Sequence, residues 1–148
     1  MNKIKKYYPN ILVTLQFGII GIMIIVSHNF FATPYPIAIF GIGAVLGIWA
    51  LRHNQLGNFN IQPKLKENSK LITSGIYGYI RHPMYSSVIL MMLSIVIASP
   101  TLLEIFLFVA LIVVLWLKAK REEMLWSGHD EAYIAYQKRS RFFIPFLL

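Results

Sequence analysis

At 148 residues the chain has room for one domain, and a composition 57% hydrophobic, 14% charged and of mean hydropathy +0.60 excludes an ordinary soluble globule. The absence of cysteine excludes disulfides and thiolate metal sites. The formal charge of +8 would suit a nucleic-acid binder, but its placement along the chain argues against one.

Four apolar runs, residues 11–27, 35–51, 84–99 and 101–117, each come close to the ~17–25 residues needed to cross a hydrocarbon core of ~30 Å. Lys3, Lys5 and Lys6 precede the first run. Arg52, Lys64, Lys66, Lys70 and Arg81 fall between the second and third, and Lys118, Lys120, Arg121, Lys138, Arg139 and Arg141 follow the fourth. With four spans all 14 basic residues lie on one side, which the positive-inside rule makes the cytoplasm. The expected architecture is therefore an all-α integral membrane protein of one domain, 1–148, with four transmembrane helices and both termini cytoplasmic. The basic start resembles a signal peptide, but the first apolar run is too long for a signal core and lacks a small-x-small cleavage site, so it is read as a helix.

Gly18 and Gly21 in the first helix, and Gly41, Gly43 and Gly47 in the second, predict close packing of these helices with each other or with the later pair. His28, Phe30, Phe31 and Tyr35 read as interfacial residues of the far side. The segment 52–83 is a cytoplasmic loop, polar at first and broken by Gly57 and Pro63. A basic patch at 64–70 follows, suited to anionic lipid head groups. Residues 71–75 look extended and end in a turn where Gly75 and Gly78 are free to take positive φ.

Only Pro100 separates the last two runs, so they form an antiparallel hairpin. Counted from Pro100, His82 lies 18 residues back, Lys118 18 forward and Glu122 22 forward. At ~1.5 Å per residue, Glu122 comes within about 6 Å of His82 in depth. The fourth helix continues past the bilayer to Ser127-Gly128. A short amphipathic helix at about 130–139 starts from Asp130 as N-cap and carries Tyr133 and Tyr136 on neighbouring positions. The tail from Phe142 onward is too short to span and folds beneath the bundle or lies in the interface.

Ionisable groups at a membrane boundary are costly unless they serve a purpose. Arg81, His82 and Tyr85 share one helical face, Pro83 suits a first turn, and Lys118, Glu122 and Glu123 face them from the hairpin's other arm. Free N–H groups at the helix start suit an anion, and the carboxylates suit an ammonium, a combination that fits a zwitterionic amino-acid group. Each residue also has a plainer reading. Arg81 and Lys120 serve as membrane anchors, Glu122 and Glu123 as the solvated end of a helix, Tyr77, Tyr79 and Tyr85 as belt aromatics, and Glu104 as an interfacial residue of the far side. The four histidines show no pair at ligand spacing, so no metal is expected.

The order Thr73-Ser-Gly-Ile-Tyr-Gly-Tyr-Ile-Arg-His-Pro-Met-Tyr85, a hairpin, Arg121-Glu-Glu123, Tyr133-x-x-Tyr136 and Arg141-x-x-Ile-Pro145 resembles the isoprenylcysteine carboxyl methyltransferases and the related phospholipid N-methyltransferases. The resemblance implies an integral membrane methyltransferase that uses S-adenosylmethionine, without a Rossmann domain. It assigns cofactor contacts to Gln62, Ser69, Lys70, Leu71, Ile72, Tyr77, His82, Pro83, Met84, Tyr85 and Glu122. Lys118 stands where isoprenylcysteine enzymes carry an arginine that meets the substrate carboxylate; lysine keeps the charge and loses the bidentate fork. The implied partners are membrane lipids and a lipophilic acceptor entering from the bilayer, and the implied location is a bacterial cytoplasmic membrane with the site facing the cytoplasm. Two other readings remain: an NADPH-dependent sterol-type reductase, whose motif has a glutamate soon after the tyrosine where this chain has Ser86 and Ser87, and a noncatalytic membrane scaffold.

Overall fold

The computed structural model describes residues 3–54, 61–64 and 70–143. Its elements are α1 (Lys3–Val26), α2 (Pro34–Asn54), a 3-10 turn (Gly75–Gly78), α3 (Pro83–Ala98), α4 (Leu102–His129) and α5 (Ala132–Arg139). Among the described residues three helices are long and apolar enough to cross a membrane: Tyr7–Val26, Pro34–Asn54 and Leu102–Ser127. The fourth apolar helix, α3, has 16 residues, or ~24 Å at helical rise, short of a ~30 Å core.

Its position in the bundle accounts for α3's character. It packs against α2 on one side and α4 on the other, with α1 lying along α4. Being inside, it tolerates Ser86, Ser87 and Ser94, all buried and each donating to a backbone carbonyl. The principal core cluster gathers Met23, Met92, Ile95, Leu111 and Leu115 from α1, α3 and α4.

The expected glycine contact forms between α2 and α3 rather than between α1 and α2. Ser87 Oγ donates to the Gly43 carbonyl at 2.7 Å. A Cβ built on Gly43 would lie 3.0 Å from Met91 N and 3.1 Å from Ser87 O, whereas Gly18, Gly21 and Gly41 have nothing within 4 Å. Only the α2 face turned toward α3 needs hydrogen in place of a methyl group.

Several expected boundaries shift. Gly128 does not end α4, which runs on to His129 and stops where the Asp130 N–H bonds the Trp126 carbonyl at 2.9 Å. Gly128 lacks the positive φ of a terminating glycine, as does Gly78; Gly75, at φ +58°, is the one glycine with positive φ among the described residues. The residue immediately before α5 is Glu131, which makes no side-chain cap, while Asp130 stands one position further out and accepts from the Ala132 N–H through Oδ1 at 2.8 Å. Residues 71–73 form no strand, and the extended pairing in this region is a single parallel bridge between Ile80 and Arg141. Glu104, in the first turn of α4, is fully buried against the protein, and neither carboxylate oxygen has a hydrogen-bond partner among the described residues. Residues 144–148 of the tail lie outside the described residues.

Substituting Gly43→Val should lower the thermal unfolding temperature in detergent by several degrees, since overpacking against backbone costs about 1–3 kcal/mol, while Gly41→Val should leave it unchanged. Equal unfolding temperatures for the two variants would refute the close approach of α2 and α3.

Candidate functional site

The boundary motif folds as a knuckle between the 3-10 turn and α3. His82 precedes the helix with φ −122° and ψ 55°, and Pro83 occupies the first helical position, where its missing N–H leaves no bond unmade. The His82 carbonyl accepts from the Tyr85 and Ser86 N–H groups. Upstream, the positive φ of Gly75 leaves room for the His53 ring, which would collide with any Cβ at 2.6–2.8 Å. His53 Nε2 is 3.0 Å from Ser74 Oγ, and its ring stacks on Tyr77. The end of α2 thereby fixes the turn that presents Tyr77.

The C-terminal segment straps this knuckle from below. Arg81 N–H and His82 N–H donate to the Arg141 and Phe142 carbonyls, and Arg141 N–H donates to the Tyr79 carbonyl. The Arg81 guanidinium donates to Glu123 Oε1 at 2.6 Å, to the Gln137 carbonyl at 3.1 Å and to the Ser140 carbonyl. Arg81 is therefore not a membrane anchor, and Glu123 is not the solvated end of a helix; their side chains are 12% and 8% exposed. Phe142 and Phe143 close over the His82 ring at 5.0 and 6.0 Å between centroids.

His82 sits between two carboxylates, with Nδ1 3.5 Å from Glu122 Oε2 and Nε2 3.5 Å from Glu123 Oε1. Both contacts are long, and Nε2 makes no hydrogen bond within geometric limits. Burial disfavours the imidazolium, but the proximity of Glu122 and Glu123 outweighs it, so the His82 pKa is raised above its ordinary 6.5. Tyr85 Oη donates to Glu122 Oε1 at 2.6 Å, and Lys118 Nζ donates to Gln16 Oε1 at 2.5 Å while lying 5.2 Å from the Tyr85 ring centroid. Tyr136 Oη donates to the Tyr77 carbonyl at 2.5 Å. Burial, the largest influence, lifts the Tyr136 hydroxyl to about 12 and raises Tyr77 and Tyr133 as well. These phenols are thereby held in their neutral form, and Tyr136 donates to the Tyr77 carbonyl.

These groups border one cavity of about 440 Å³. Its polar end is lined by Gln62, Lys70, Tyr77, His82 and Glu122, with Leu71, Ile72, Pro83, Met84, Tyr85 and Lys118 also on its walls. The described residues expected to contact the cofactor, with Lys118, therefore meet at one place, whereas Glu123 does not line the cavity and pairs with Arg81 instead; Ser69 lies outside the described residues. Gln62 also bonds Asn10 on α1 at 2.8 Å, tying the loop to the bundle. Sequence reasoning missed Gln16, Phe17 and Ile20 on α1, and Trp126, Tyr133 and Tyr136 as cavity walls. The available signal for Gln16 was an amide inside an apolar run, and for the tyrosines their i, i+3 spacing ahead of a sharp return of the chain.

The family model described as phospholipid methyltransferase matches residues 32–128, well over half of the chain. No curated protein matches.

Arg81→Ala should destabilise the protein by about 3–5 kcal/mol, because it leaves the buried Glu123 carboxylate without its guanidinium, and should expose the segment after α5 to protease; wild-type stability and protection would refute the clamp. Because the folded pKa of His82 is raised, its stabilising contribution is complete below pH 6.5 and is lost as pH rises through the folded value. The unfolding temperature should fall across that interval in wild type and less so in His82→Asn, as measured by a pH series in a single detergent.

Proposed function

The chain belongs to the phospholipid methyltransferase family, and from that premise we propose that it is an integral membrane methyltransferase that takes its methyl group from S-adenosylmethionine and passes it to a lipophilic acceptor. The observation that carries this reading is the cavity itself. One end is bordered by polar boundary residues and the other by Phe17, Ile20, Val88, Met91 and Met92 of the apolar helices. Such a space suits a polar cofactor meeting an apolar substrate.

The residues fit S-adenosylmethionine on chemical grounds. The cofactor's amino-acid end carries an ammonium and a carboxylate. Glu122 supplies a carboxylate for the first, and His82, in the cavity wall with its pKa raised by Glu122 and Glu123 against the cost of burial, offers positive charge near the second. Gln62, Ser69, Lys70, Leu71, Ile72, Tyr77, Pro83, Met84 and Tyr85 complete the proposed cofactor wall, of which Ser69 lies outside the described residues. When bound, the cofactor supplies a sulfonium-activated methyl group. The chain's own part is to align the acceptor, exclude water and hold charge in place. Tyr85 orients Glu122, Lys118 orients the acceptor, and the Phe142–Phe143 pair keeps water from His82.

The charge census supports a four-span topology with both termini and the site on the cytoplasmic side, the 16-residue α3 crossing within the shelter of its neighbours. A phospholipid methyltransferase family does not favour an NADPH reductase or a noncatalytic scaffold.

The purified protein should bind S-adenosylmethionine and its demethylated product in detergent and should not bind NADPH. Glu122→Gln should weaken cofactor binding about 10–100-fold, as expected for losing a charge-assisted hydrogen bond of about 1.5–3 kcal/mol, while Glu104→Gln should leave it unchanged. Failure of the wild-type protein to bind either sulfur compound would sink the reading.

A further inference from the structure

The helix packing leaves the apolar end of the cavity open on one side. α1 packs along α4 and α2 along α3, but among the described residues α1 and α2 do not pack along each other. They are joined at the far side, where Phe30 meets Phe40 edge to face at 5.7 Å between ring centroids. Nearer the site, Phe17 of α1 lines the cavity while remaining 54% exposed, within a segment long and apolar enough to cross a membrane. Its ring therefore borders the cavity on one side and lipid on the other. Gly21, one turn deeper on the same face of α1, has nothing within 4 Å of the place a Cβ would occupy, so the rim is low there. Beyond Lys118 the trough is walled by Phe17, Ile20, Val88, Met91 and Met92. Pro83 starts α3 and Met92 stands nine residues on, about 14 Å deeper at helical rise. Half of a ~30 Å hydrocarbon core is about 15 Å, so the trough is as deep as one leaflet.

We infer that this trough is a lateral entrance for a hydrocarbon chain drawn from the leaflet on the side of the site, and that Phe17 and Gly21 of α1 form its mouth. Naming that chain as the tail of the methyl acceptor rests on the methyl-transfer reading; the entrance itself does not. The walls select the occupant. A polar group lying between Phe17 and Met92 would lose its hydrogen bonds to water without replacement. A hydrocarbon chain loses nothing it had in the bilayer, and two unbranched methionines adapt to its shape. Depth points the same way. A tail lying at its ordinary height in the leaflet brings its end to Met92 while its head stays level with His82, so entry requires no withdrawal of the head group from the boundary. Phe17 is suited to the mouth because an aromatic ring turns between staggered rotamers, toward the cavity in one and toward lipid in another. The family match begins at residue 32, so the mouth is built by a helix that lies outside it.

The test uses hexadecanol with a carbene-generating diazirine at the end of its chain, added to the full chain in phosphatidylcholine nanodiscs; a neutral alcohol carries no assumption about the acceptor's head group. After illumination, adducts are mapped by peptide mass spectrometry at Met92, which is 4% exposed and lines the trough, and at Val109, which is 54% exposed on α4. In the wild type Met92 should be labelled, and excess plain hexadecanol should suppress that labelling but not the labelling of Val109. Gly21→Phe, which fills the mouth, should lower the Met92-to-Val109 ratio at least about fivefold, while Gly41→Phe on the exposed face of α2 should leave it within about twofold. Phe17→Ala, which widens the mouth, should raise the ratio. Val109 labelled without Met92 in the wild type, or a ratio unchanged in Gly21→Phe, overturns the entrance. Saturable labelling of Met92 in a wild-type protein that fails to bind S-adenosylhomocysteine keeps the entrance and overturns the methyltransferase reading instead.

Discussion

Two adjacent carboxylates on α4, Glu122 and Glu123, face an arginine and a histidine at the start of α3, and the rest of the boundary region is arranged to keep those four charges satisfied. Glu123 is nearly buried and would be intolerable alone. Arg81 answers it, and because a guanidinium offers five donors in a fixed fork, the same side chain also gathers the Gln137 and Ser140 carbonyls. The C-terminal segment is thereby drawn under α3. Its phenylalanines cover His82, and that burial makes the histidine's surroundings so dependent on the carboxylates.

Helical geometry divides the work along α4. Lys118 and Glu122 are four residues apart and share the face that lines the cavity, whereas Glu123 is turned by about 100° toward Arg81 and the strap. One carboxylate is thus structural and its neighbour is presented to the cavity. Tyr85 joins the two arms of the hairpin, bonding Glu122 through its hydroxyl and offering its ring to Lys118. A single tyrosine therefore sets the relative position of the cavity's positive and negative groups.

Deeper in the bundle the constraint is one of approach. Ser87 bonds the Gly43 carbonyl, and its Oγ would lie 2.5 Å from a Cβ at Gly47, so α2 and α3 meet nearly backbone to backbone. This contact seats α3 in the interior and leaves α1 as the outer wall of the cavity, where Gln16 reaches Lys118. Glu104, by contrast, is buried at the start of α4 without a hydrogen-bond partner for its oxygens; nothing in the structure gives it a part in the cavity.

The sequence by itself determined the four apolar segments, the confinement of basic residues to the stretches outside them, and the meeting of His82 with Glu122. These follow from local properties: hydropathy over a window, charge counts between windows, and residue counts from the turn at Pro100. Tertiary structure alone decided which glycines matter, because the requirement at Gly43 comes from Met91 and Ser87 on another helix. It also decided that Arg81 is a clamp rather than an anchor, since its partners lie 42 to 59 residues away. The Lys118–Gln16 bond, spanning 102 residues, is the furthest case. Neither side chain's partner is written in its own neighbourhood; the pair exists because α1 lies along α4, and that packing depends on contacts distributed over both helices.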